Sequence, residues 1–288
     1  MTPNSFEYQR AGSIEEAVAQ LQSHGDEAKL LAGGHSLIPT MKLRLNAPTM
    51  LVDLSGISGL DGIEASGNQV HIGAMATHRS VEMSDIVKQH CSAVAETASG
   101  IGDPQVRNKG TIGGSLAHAD PAADYPAIVL ALNATIAVHG PNGARNISAD
   151  DFFTGMFDTA LDDAEIITRV SFPAGGASSG TAYAKFPNPA SRFAVVGVAA
   201  HITMDGSRCV DARIGITGAA PCAFRATAME DALKGTALDG ESIAAACQHK
   251  PDEDDMLSDL SGSAAYRAHL CGVMARRAIM AAAKQARG

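Results

Sequence analysis

Cysteine is scarce and scattered in this sequence of 288 residues. None of the five cysteines belongs to a CxxC pair, and none has a His or Cys companion at metal-ligand spacing. We therefore expect neither an iron-sulfur cluster nor a structural zinc site within the chain. An odd, scattered set is typical of reduced thiols, which favours a cytoplasmic protein over a disulfide-linked one. The five positions are Cys91, Cys209, Cys222, Cys247 and Cys271.

Dense basic runs and long apolar runs are also missing. The chain has 22 basic and 31 acidic residues and a formal net charge of -9, and no basic cluster is dense enough to follow a phosphate backbone. We expect no nucleic-acid partner. The longest uncharged apolar stretch, residues 125–139, is shorter than the ~18 residues of a membrane span. Because the N-terminus has no basic flank before an apolar run, the sequence predicts no secretory signal either.

The predicted elements indicate an α+β protein. A hydrophobic content of 45 % over 288 residues suggests two or three domains. Ser13 and Glu16 form a capping box, apolar residues follow at helical spacing, and Gly25 ends this first helix. Residues 100–114 are expected to be mostly loop, and residues 174–180 a domain linker. Further helices are predicted at 86–99, 126–132 and 263–286, and strands at 29–32, 50–54, 70–73, 135–139, 165–172, 182–186, 194–203 and 209–217.

Two glycine pairs stand out. Residues 32–36 read Ala-Gly-Gly-His-Ser, and residues 111–115 read Thr-Ile-Gly-Gly-Ser. Glycine lets the backbone approach a ligand without a β-carbon in the way, and successive N–H groups in such a turn bind anions. Ser36, Thr111 and Ser115 add hydroxyl donors, so the two loops together are suited to a diphosphate. A single Gly-Gly is more often an ordinary tight turn, and the spacing alone does not identify the ligand.

Motifs of other nucleotide, hydrolase and metal sites are absent from the sequence. Neither GxGxxG nor GxxxxGKS/T occurs, which excludes a Rossmann fingerprint and a P-loop. Two segments begin like the GxSxG nucleophile elbow, with His118, Asp120 and Asp124 close by, but both lack its final glycine. A serine hydrolase is therefore disfavoured. The ten histidines are dispersed without an HExxH pattern, so no metal site is predicted.

The motifs together resemble those of a known family. Residues 32–36, the Asp-Pro-Gln-Val-Arg-Asn segment at 103–108 and the run 111–121 are similar to the FAD-binding medium subunit of the xanthine dehydrogenase and carbon monoxide dehydrogenase family, the molybdenum hydroxylases. The likeness extends along essentially the whole chain. It implies a two-lobed PCMH-type FAD-binding domain at residues 1–176, with lobes at about 1–56 and 57–176. A C-terminal domain of a small sheet packed with helices, the CO dehydrogenase flavoprotein C-terminal type, is implied at residues 177–288.

The resemblance also implies which residues contact a non-covalently bound FAD. Both glycine loops hold the diphosphate, Asp124 is a polar anchor, and Lys185 lies near the isoalloxazine edge. A cation there stabilises the anionic reduced flavin, although a solvated strand-end lysine is an equal alternative, and Phe193 equally fits a core role. Many relatives have asparagine where this chain has Ser115, which still donates one hydrogen bond. The implied set is Leu31, Ala32, Gly33, Gly34, His35, Ser36, Leu37, Ile101, Thr111, Gly113, Gly114, Ser115, Asp124, Ile167, Lys185 and Phe193.

The implied function is an electron relay inside a larger complex. A large subunit with a molybdenum cofactor hydroxylates the substrate, and a small subunit passes electrons through two 2Fe-2S clusters to FAD on this chain. The chain then passes them to an acceptor such as a quinone, NAD or oxygen, with no catalytic acid or base of its own. A dimer of heterotrimers is the expected assembly. Carbon monoxide, an N-heterocycle, an aldehyde or a purine all fit as substrate, because the substrate pocket would lie on another polypeptide.

Two other interpretations stay open. The loop at residues 33–36 also resembles that of free-standing oxidases of the vanillyl-alcohol-oxidase type, which attach FAD covalently through a histidine. The ~110 residues after Ala177 leave little room for the substrate-cap domain of such enzymes. The second alternative is an assembly module without a cofactor, and the intact glycine loops disfavour it.

Overall fold

A small parallel sheet forms the first lobe of the N-terminal domain. The computed structural model describes residues 2–288, and in this lobe two outer strands pair in parallel with one central strand. Parallel neighbours need crossover connections, and two helices supply them. In chain order the elements are β1 (Glu7–Arg10), α1 (Ile14–His24), β2 (Ala28–Leu31), α2 (Leu37–Lys42) and the central strand β3 (Met50–Asp53).

The predicted first helix is confirmed as α1. The Ser13 Oγ accepts from the Glu16 amide at 3.1 Å, and the Glu16 carboxylate accepts from the Gly12 amide at 2.8 Å. Ala17 and Val18 are buried on the apolar face of the helix and join the core of this lobe. The capping hydrogen bonds therefore fix the start of α1, and burial of its apolar face packs it into the core of the lobe.

A five-stranded antiparallel sheet forms the second lobe. Its elements in chain order are β4 (Ile63–Ser66), β5 (Gln69–Gly73), α3 (His78–Met83), α4 (Asp85–His90), α5 (Ser92–Ser99), α6 (Pro104–Arg107), α7 (Ile112–His118), α8 (Tyr125–Ala131), β6 (Thr135–Gly140), β7 (Gly143–Ser148), α9 (Ala149–Phe152), β8 (Phe153–Gly155), β9 (Asp158–Thr159) and β10 (Ile166–Pro173). The strands lie in the order β4-β5-β10-β6-β7, while β8 and β9 form a separate two-stranded hairpin. Residues of α5, α7 and α8 share one buried core with β5, β6 and β10.

The single helix predicted at residues 86–99 is wrong. The helix is interrupted at Cys91, because its φ of -153° and ψ of 61° are not helical, and α4 and α5 are therefore separate helices. The Ser84 hydroxyl accepts from the Val87 amide at 3.3 Å and starts α4 one residue earlier than predicted. The apolar spacing continues across the break, which is why the sequence pattern did not show it.

Two helical segments interrupt the loop predicted at residues 100–114. Helix α6 and the first residues of α7 lie there. The Asp103 carboxylate accepts from the Val106 amide at 2.9 Å, and the Thr111 Oγ1 accepts from the Gly114 amide at 3.1 Å. These two N-caps outweigh the low helix propensity of the glycines.

Four antiparallel strands and three helices form the C-terminal domain. They are β11 (Ser179–Pro187), β12 (Ala194–Asp205), β13 (Arg208–Thr217), β14 (Phe224–Arg225), α10 (Thr227–Leu233), α11 (Gly240–Ala246) and α12 (Ala264–Ala286), and the strands lie in that order. One face of this sheet packs against α12 and the other against α8 of the second lobe. The linker is shorter than predicted, because β11 already begins at Ser179.

Side chains along β13 point alternately to the two faces of the sheet. Ile214 and Ile216 join the core beneath α12, while Gly215 points the other way, towards α8. A β-carbon on Gly215 would lie 2.2 Å from the carbonyl oxygen of Ala127. The C-terminal sheet therefore packs directly on the backbone of α8 in the second lobe.

No helix within residues 2–288 is long and apolar enough to cross a membrane. The same part of the chain holds no group of three or more His, Cys, Asp or Glu side chains placed to bind a metal ion. All five cysteines carry free thiols, and four of them are buried.

Candidate functional site

A cavity of about 1030 Å³ lies between the two N-terminal lobes and reaches the edge of the C-terminal domain. Its volume is at the upper end of the range for small-molecule and cofactor sites, about 300 to 1,000 Å³. Of the predicted set, only Leu31 and Lys185 do not line it. The members that do are Ala32, Gly33, Gly34, His35, Ser36, Leu37, Ile101, Thr111, Gly113, Gly114, Ser115, Asp124, Ile167 and Phe193.

The two glycine motifs meet at this cavity although they are far apart in the sequence. A β-carbon built on Gly33 would lie 2.1 Å from the Lys109 carbonyl oxygen and 2.7 Å from the Gly110 Cα. One built on Gly114 would lie 3.6 Å from the Ala32 Cβ. The first motif therefore packs on the backbone that leads into the second, and this contact between lobes requires glycine at position 33.

The first motif presents free backbone donors. Gly34 has a φ of 70°, in the left-handed region, and Ser36 returns to the right-handed region at the start of α2. Among residues 2–288, the amides of Gly34, His35 and Ser36 donate to no protein acceptor. Successive free N–H groups in such a turn at a helix start form an anion-binding concavity. The Ser36 side chain adds a hydroxyl on the same cavity surface.

The second motif differs, because the amides of Gly113, Gly114 and Ser115 already donate inside the protein. The Gly113 amide donates to the Ala74 carbonyl at 2.9 Å, and the Ser115 amide donates to the Thr111 carbonyl at 3.0 Å. The Gly114 amide donates to the Thr111 side chain. The expectation that both loops offer amides to a diphosphate therefore needs correction. The second motif contributes its small size and the Ser115 hydroxyl, since the Ala74 carbonyl, the Thr111 side chain and the Thr111 carbonyl accept from the amides of Gly113, Gly114 and Ser115.

Asp124 forms a polar end of the cavity. Its buried carboxylate accepts from the Tyr183 hydroxyl at 2.6 Å and lies 2.8 Å from the Lys185 Nζ. Burial raises the pKa of Asp124, and the Lys185 charge and the two hydrogen bonds offset part of that rise. Burial, aided by the Asp124 charge, also raises the pKa of Tyr183 well above its ordinary value. The Tyr183 hydroxyl therefore remains a hydrogen-bond donor.

Lys185 lies behind Asp124 and not in the cavity lining. Its ammonium group donates to Asp124 and, at 3.0 Å, to the Gly100 carbonyl oxygen, and its side chain is only 11 % exposed. It therefore does not line the cavity, and it is not a solvated strand-end lysine. A buried ammonium group needs an anionic partner, and here that partner separates it from the cavity.

The turn between β11 and β12, residues 188–193, closes this end from the C-terminal domain. Ser191, Arg192 and Phe193 all line the cavity. Phe193 is 44 % exposed, which is inconsistent with a core role. Arg192 adopts a φ of 61° and donates to the Gly102 carbonyl at 3.3 Å. This contact ties the turn to the loop of the second lobe on the opposite side of the cavity.

A part of the cavity wall was missed in the sequence. Gln22 and Lys29 of the first lobe and Phe157 and Asp162 of the second line it. Phe157, at a φ of 55°, lies against the His118 ring with centroids 5.1 Å apart. These positions lie on separate elements that meet only after folding, so no local pattern marks them.

His78 is a further cavity residue that the sequence did not reveal. It is buried and packs on the Tyr125 ring with centroids 5.3 Å apart. Within residues 2–288, neither its Nδ1 nor the Tyr125 hydroxyl has a hydrogen-bond partner. Burial, with smaller contributions from the His35 and Arg107 charges, lowers the pKa of His78 to about 4. The ring is therefore neutral at pH 7.

Comparisons with known proteins match both parts of the chain. Residues 4–175 match the family described as the FAD binding domain in molybdopterin dehydrogenase, and residues 181–282 match the CO dehydrogenase flavoprotein C-terminal domain. The carbon monoxide dehydrogenase medium chain of Hydrogenophaga pseudoflava is 40% identical over 282 residues, covering 98% of each chain.

Two solved structures agree with this match along the whole chain. A chain of reconstituted CO dehydrogenase from Oligotropha carboxidovorans superposes with a TM-score of 0.94 at 40% identity, covering 99% of this chain and 100% of that one. A chain of quinoline 2-oxidoreductase from Pseudomonas putida 86 gives a TM-score of 0.92 at 32% identity, with 99% of each chain covered.

Proposed function

This chain belongs to the family of FAD-binding medium subunits of the molybdenum hydroxylases, and on that premise we propose that it holds one non-covalent FAD between its lobes as an electron relay. The observation that carries the proposal is the meeting of both glycine motifs at one cavity, with three free amides on the first motif. When bound, FAD supplies the redox chemistry. The chain supplies the binding surface, the orientation and the local charge.

The residues present fit this cofactor. The free amides of Gly34, His35 and Ser36 suit the diphosphate, and the Ser115 hydroxyl adds a donor from the second lobe. The same cavity is also lined by Asp124 and the 188–193 turn and by Lys29 and Asp162. A large cavity around an anion-binding loop suits a ligand that carries ring systems on a diphosphate.

Charge near the flavin end is set by a buried ion pair. We propose that Asp124 meets the cofactor there and that Lys185 acts through it. Because the Lys185 ammonium group neutralises the carboxylate, the pair presents polarity to the flavin without a full uncompensated negative charge. The other proposed contacts are the apolar side chains of Ile101, Ile167 and Phe193. The two residues outside the cavity lining, Leu31 and Lys185, then support the site from behind.

The proposed place of the chain is between two partner subunits and an external acceptor. A small subunit would deliver electrons from its 2Fe-2S clusters, and a large subunit would hold the molybdenum cofactor and the substrate, in a dimer of heterotrimers in the cytoplasm. The relatives are named for carbon monoxide and for quinoline. We infer that the substrate is a property of the large subunit, so that no side chain of this chain acts on it as acid or base.

Purification of the native complex tests this proposal. We expect flavin, molybdenum and iron to co-elute with this chain and two others, and acid precipitation to leave the yellow flavin in the supernatant. Flavin that stays in the acid pellet would identify the covalent oxidase instead. A colourless chain that elutes alone and gains no flavin from added FAD would contradict the proposal altogether.

A further inference from the structure

The C-terminal sheet holds the short segment 121–124 that ends in Asp124 and starts α8. Every residue of this segment accepts a hydrogen bond from β11, from β12 or from the end of β13. The Pro121 carbonyl accepts from the Gly218 amide at 2.7 Å and from the Thr217 hydroxyl at 3.0 Å, and that hydroxyl also donates to the Ala123 carbonyl at 2.6 Å. The Ala122 carbonyl accepts from the Ala194 amide at 3.1 Å. The Asp124 carboxylate accepts from the Tyr183 hydroxyl at 2.6 Å and from the Lys185 ammonium group at 2.8 Å. Ala123 and Asp124 line the cavity, so one domain orients cavity residues of another.

The side-chain donors, Tyr183, Lys185 and Thr217, come from one face of the sheet. Tyr183, Lys185, Gly197 and Thr217 occupy odd positions on their strands, and Lys185 and Thr217 each pair in register with Gly197. Odd positions point to the second lobe, while even positions such as Ile216 point to α12. The alternation thus directs these polar groups at the same short segment.

Gly197 makes the position of the Tyr183 hydroxyl possible. A β-carbon on Gly197 would lie 2.2 Å from the Tyr183 Oη and 3.0 Å from the Thr217 Cγ2. Since Gly197 is a strand residue without a positive φ, its backbone conformation does not require glycine. The requirement comes from the ring that passes over it to reach Asp124.

We propose that Tyr183 is a positioning residue for the cofactor: through its hydrogen bond it fixes the Asp124 carboxylate at the flavin end, with Gly197 providing the space. The inference rests on the proposed function, because it takes FAD as the occupant of the cavity. Tyr183 itself does not line the cavity and acts only through Asp124. The C-terminal domain therefore tunes the flavin site in addition to packing on it.

The structure offers a matched control. Tyr8 donates to the Asp53 carboxylate at 2.5 Å in the first lobe, and neither residue lines the cavity. Tyr183→Phe and Tyr8→Phe thus each remove one tyrosine-aspartate hydrogen bond and no ring. Gly197→Ala displaces the Tyr183 hydroxyl without altering the tyrosine, which gives a second, independent perturbation of the same bond.

The experiment compares the full-length chain and these three variants. FAD affinity is measured by titrating FAD into the flavin-free protein, and the two-electron midpoint potential is measured on FAD-saturated protein. We expect Tyr183→Phe and Gly197→Ala to bind FAD roughly tenfold more weakly. Their potentials should fall by about 30 mV for each tenfold loss of stabilisation of the reduced form, because the Asp124 negative charge is less neutralised. Tyr8→Phe should leave both quantities at the wild-type values.

The outcomes separate this inference from the proposed function. If the wild-type chain binds FAD and Tyr183→Phe has the same FAD affinity and midpoint potential, the inference is overturned and the proposed function is not. An equal shift in Tyr8→Phe would also overturn it, since the effect would then be general. If Tyr183→Phe lowers only the melting temperature and leaves the potential of the saturated protein unchanged, the bond is structural and the inference fails. A wild-type chain that binds no FAD overturns the proposed function and the inference with it.

Discussion

Gly33 lies so close to Lys109 that a β-carbon at position 33 would stand 2.1 Å from the Lys109 carbonyl oxygen. Gly33 belongs to the first lobe and Lys109 to the second. The glycine that sequence analysis assigned to ligand approach is therefore required first by the contact between lobes. The relative position of the lobes, and hence the shape of the cavity between them, depends on this one missing side chain.

Gly33→Ala is expected to weaken FAD binding by at least tenfold and to lower the free energy of unfolding by about 2 kcal/mol, because two backbones must separate. Flavin titration and urea unfolding measure the two effects. The control is Gly240→Ala, since a β-carbon there meets nothing within 4 Å and the residue has no positive φ. We expect that change to stay within about 0.5 kcal/mol of the wild type. Equal behaviour of the two variants would contradict the prediction.

The Ser115 hydroxyl is a donor that the second motif still offers, because the amides of Gly113, Gly114 and Ser115 are bonded internally. Ser115→Ala should therefore weaken FAD binding by about 1 kcal/mol, roughly fivefold. Ser115→Asn should bind like the wild type, because an amide can replace the donor. Ser66→Ala, at an exposed strand position outside the cavity, is the control. Titration of the flavin-free proteins decides, and full affinity in Ser115→Ala would remove this residue from the site.

Lys185→Met should lower the free energy of unfolding by about 3 to 5 kcal/mol at pH 7, since it leaves the buried Asp124 carboxylate without its cation. Burial already raises the pKa of Asp124 above its ordinary value of 3.8, and removal of Lys185 raises it further. The folded state then binds a proton that the unfolded state does not. In Lys185→Met, the stability that protonation of Asp124 adds to the folded state is complete below pH 3.8 and is lost as pH rises through the folded-state pKa of Asp124.

Urea unfolding of Lys185→Met at several pH values measures this effect. The variant should recover stability relative to the wild type on acidification. Asp124→Asn in the same background is the matched control, because it removes the titrating group and should abolish the recovery. A stability difference that stays constant with pH would show that Asp124 does not carry the effect.

The location of the cavity was predictable because the two glycine motifs that line it are each contiguous in sequence. Residues 32–36 and 111–115 are short runs whose glycines and hydroxyls are visible without a structure. Their separate roles were not predictable. Whether an amide is free depends on acceptors such as the Ala74 carbonyl and on the Thr111 cap, and these appear only when α7 forms against the sheet.

The fold shows the same division between local and distant information. The long helix predicted at residues 263–286 is confirmed as α12, because its apolar spacing and the Ser263 cap are local signals. Strands β4 and β7 were missed, and both are edge strands of the five-stranded sheet with mostly exposed side chains. A strand that buries little shows no clear apolar alternation. Such an edge strand is recognised from its pairing with a neighbouring strand in the folded protein and not from its own sequence.

His78 should make the protein lose stability on mild acidification. Burial lowers its pKa from 6.5 to about 4 in the folded state, so the unfolded state binds one more proton between these values. The stabilising contribution is complete above pH 6.5 and falls as pH drops towards 4, by about 3 kcal/mol in total at 1.36 kcal/mol per pH unit.

His78→Leu keeps an apolar group of similar size against Tyr125 and removes the titration. Urea unfolding followed by circular dichroism, at pH 7 and at pH 4.5, should therefore show a decline in the wild type that exceeds the decline in His78→Leu by about 2 to 3 kcal/mol. Parallel declines in the two proteins would show that His78 is protonated in the folded state at its ordinary pKa, and that the packing around the ring opens readily to water.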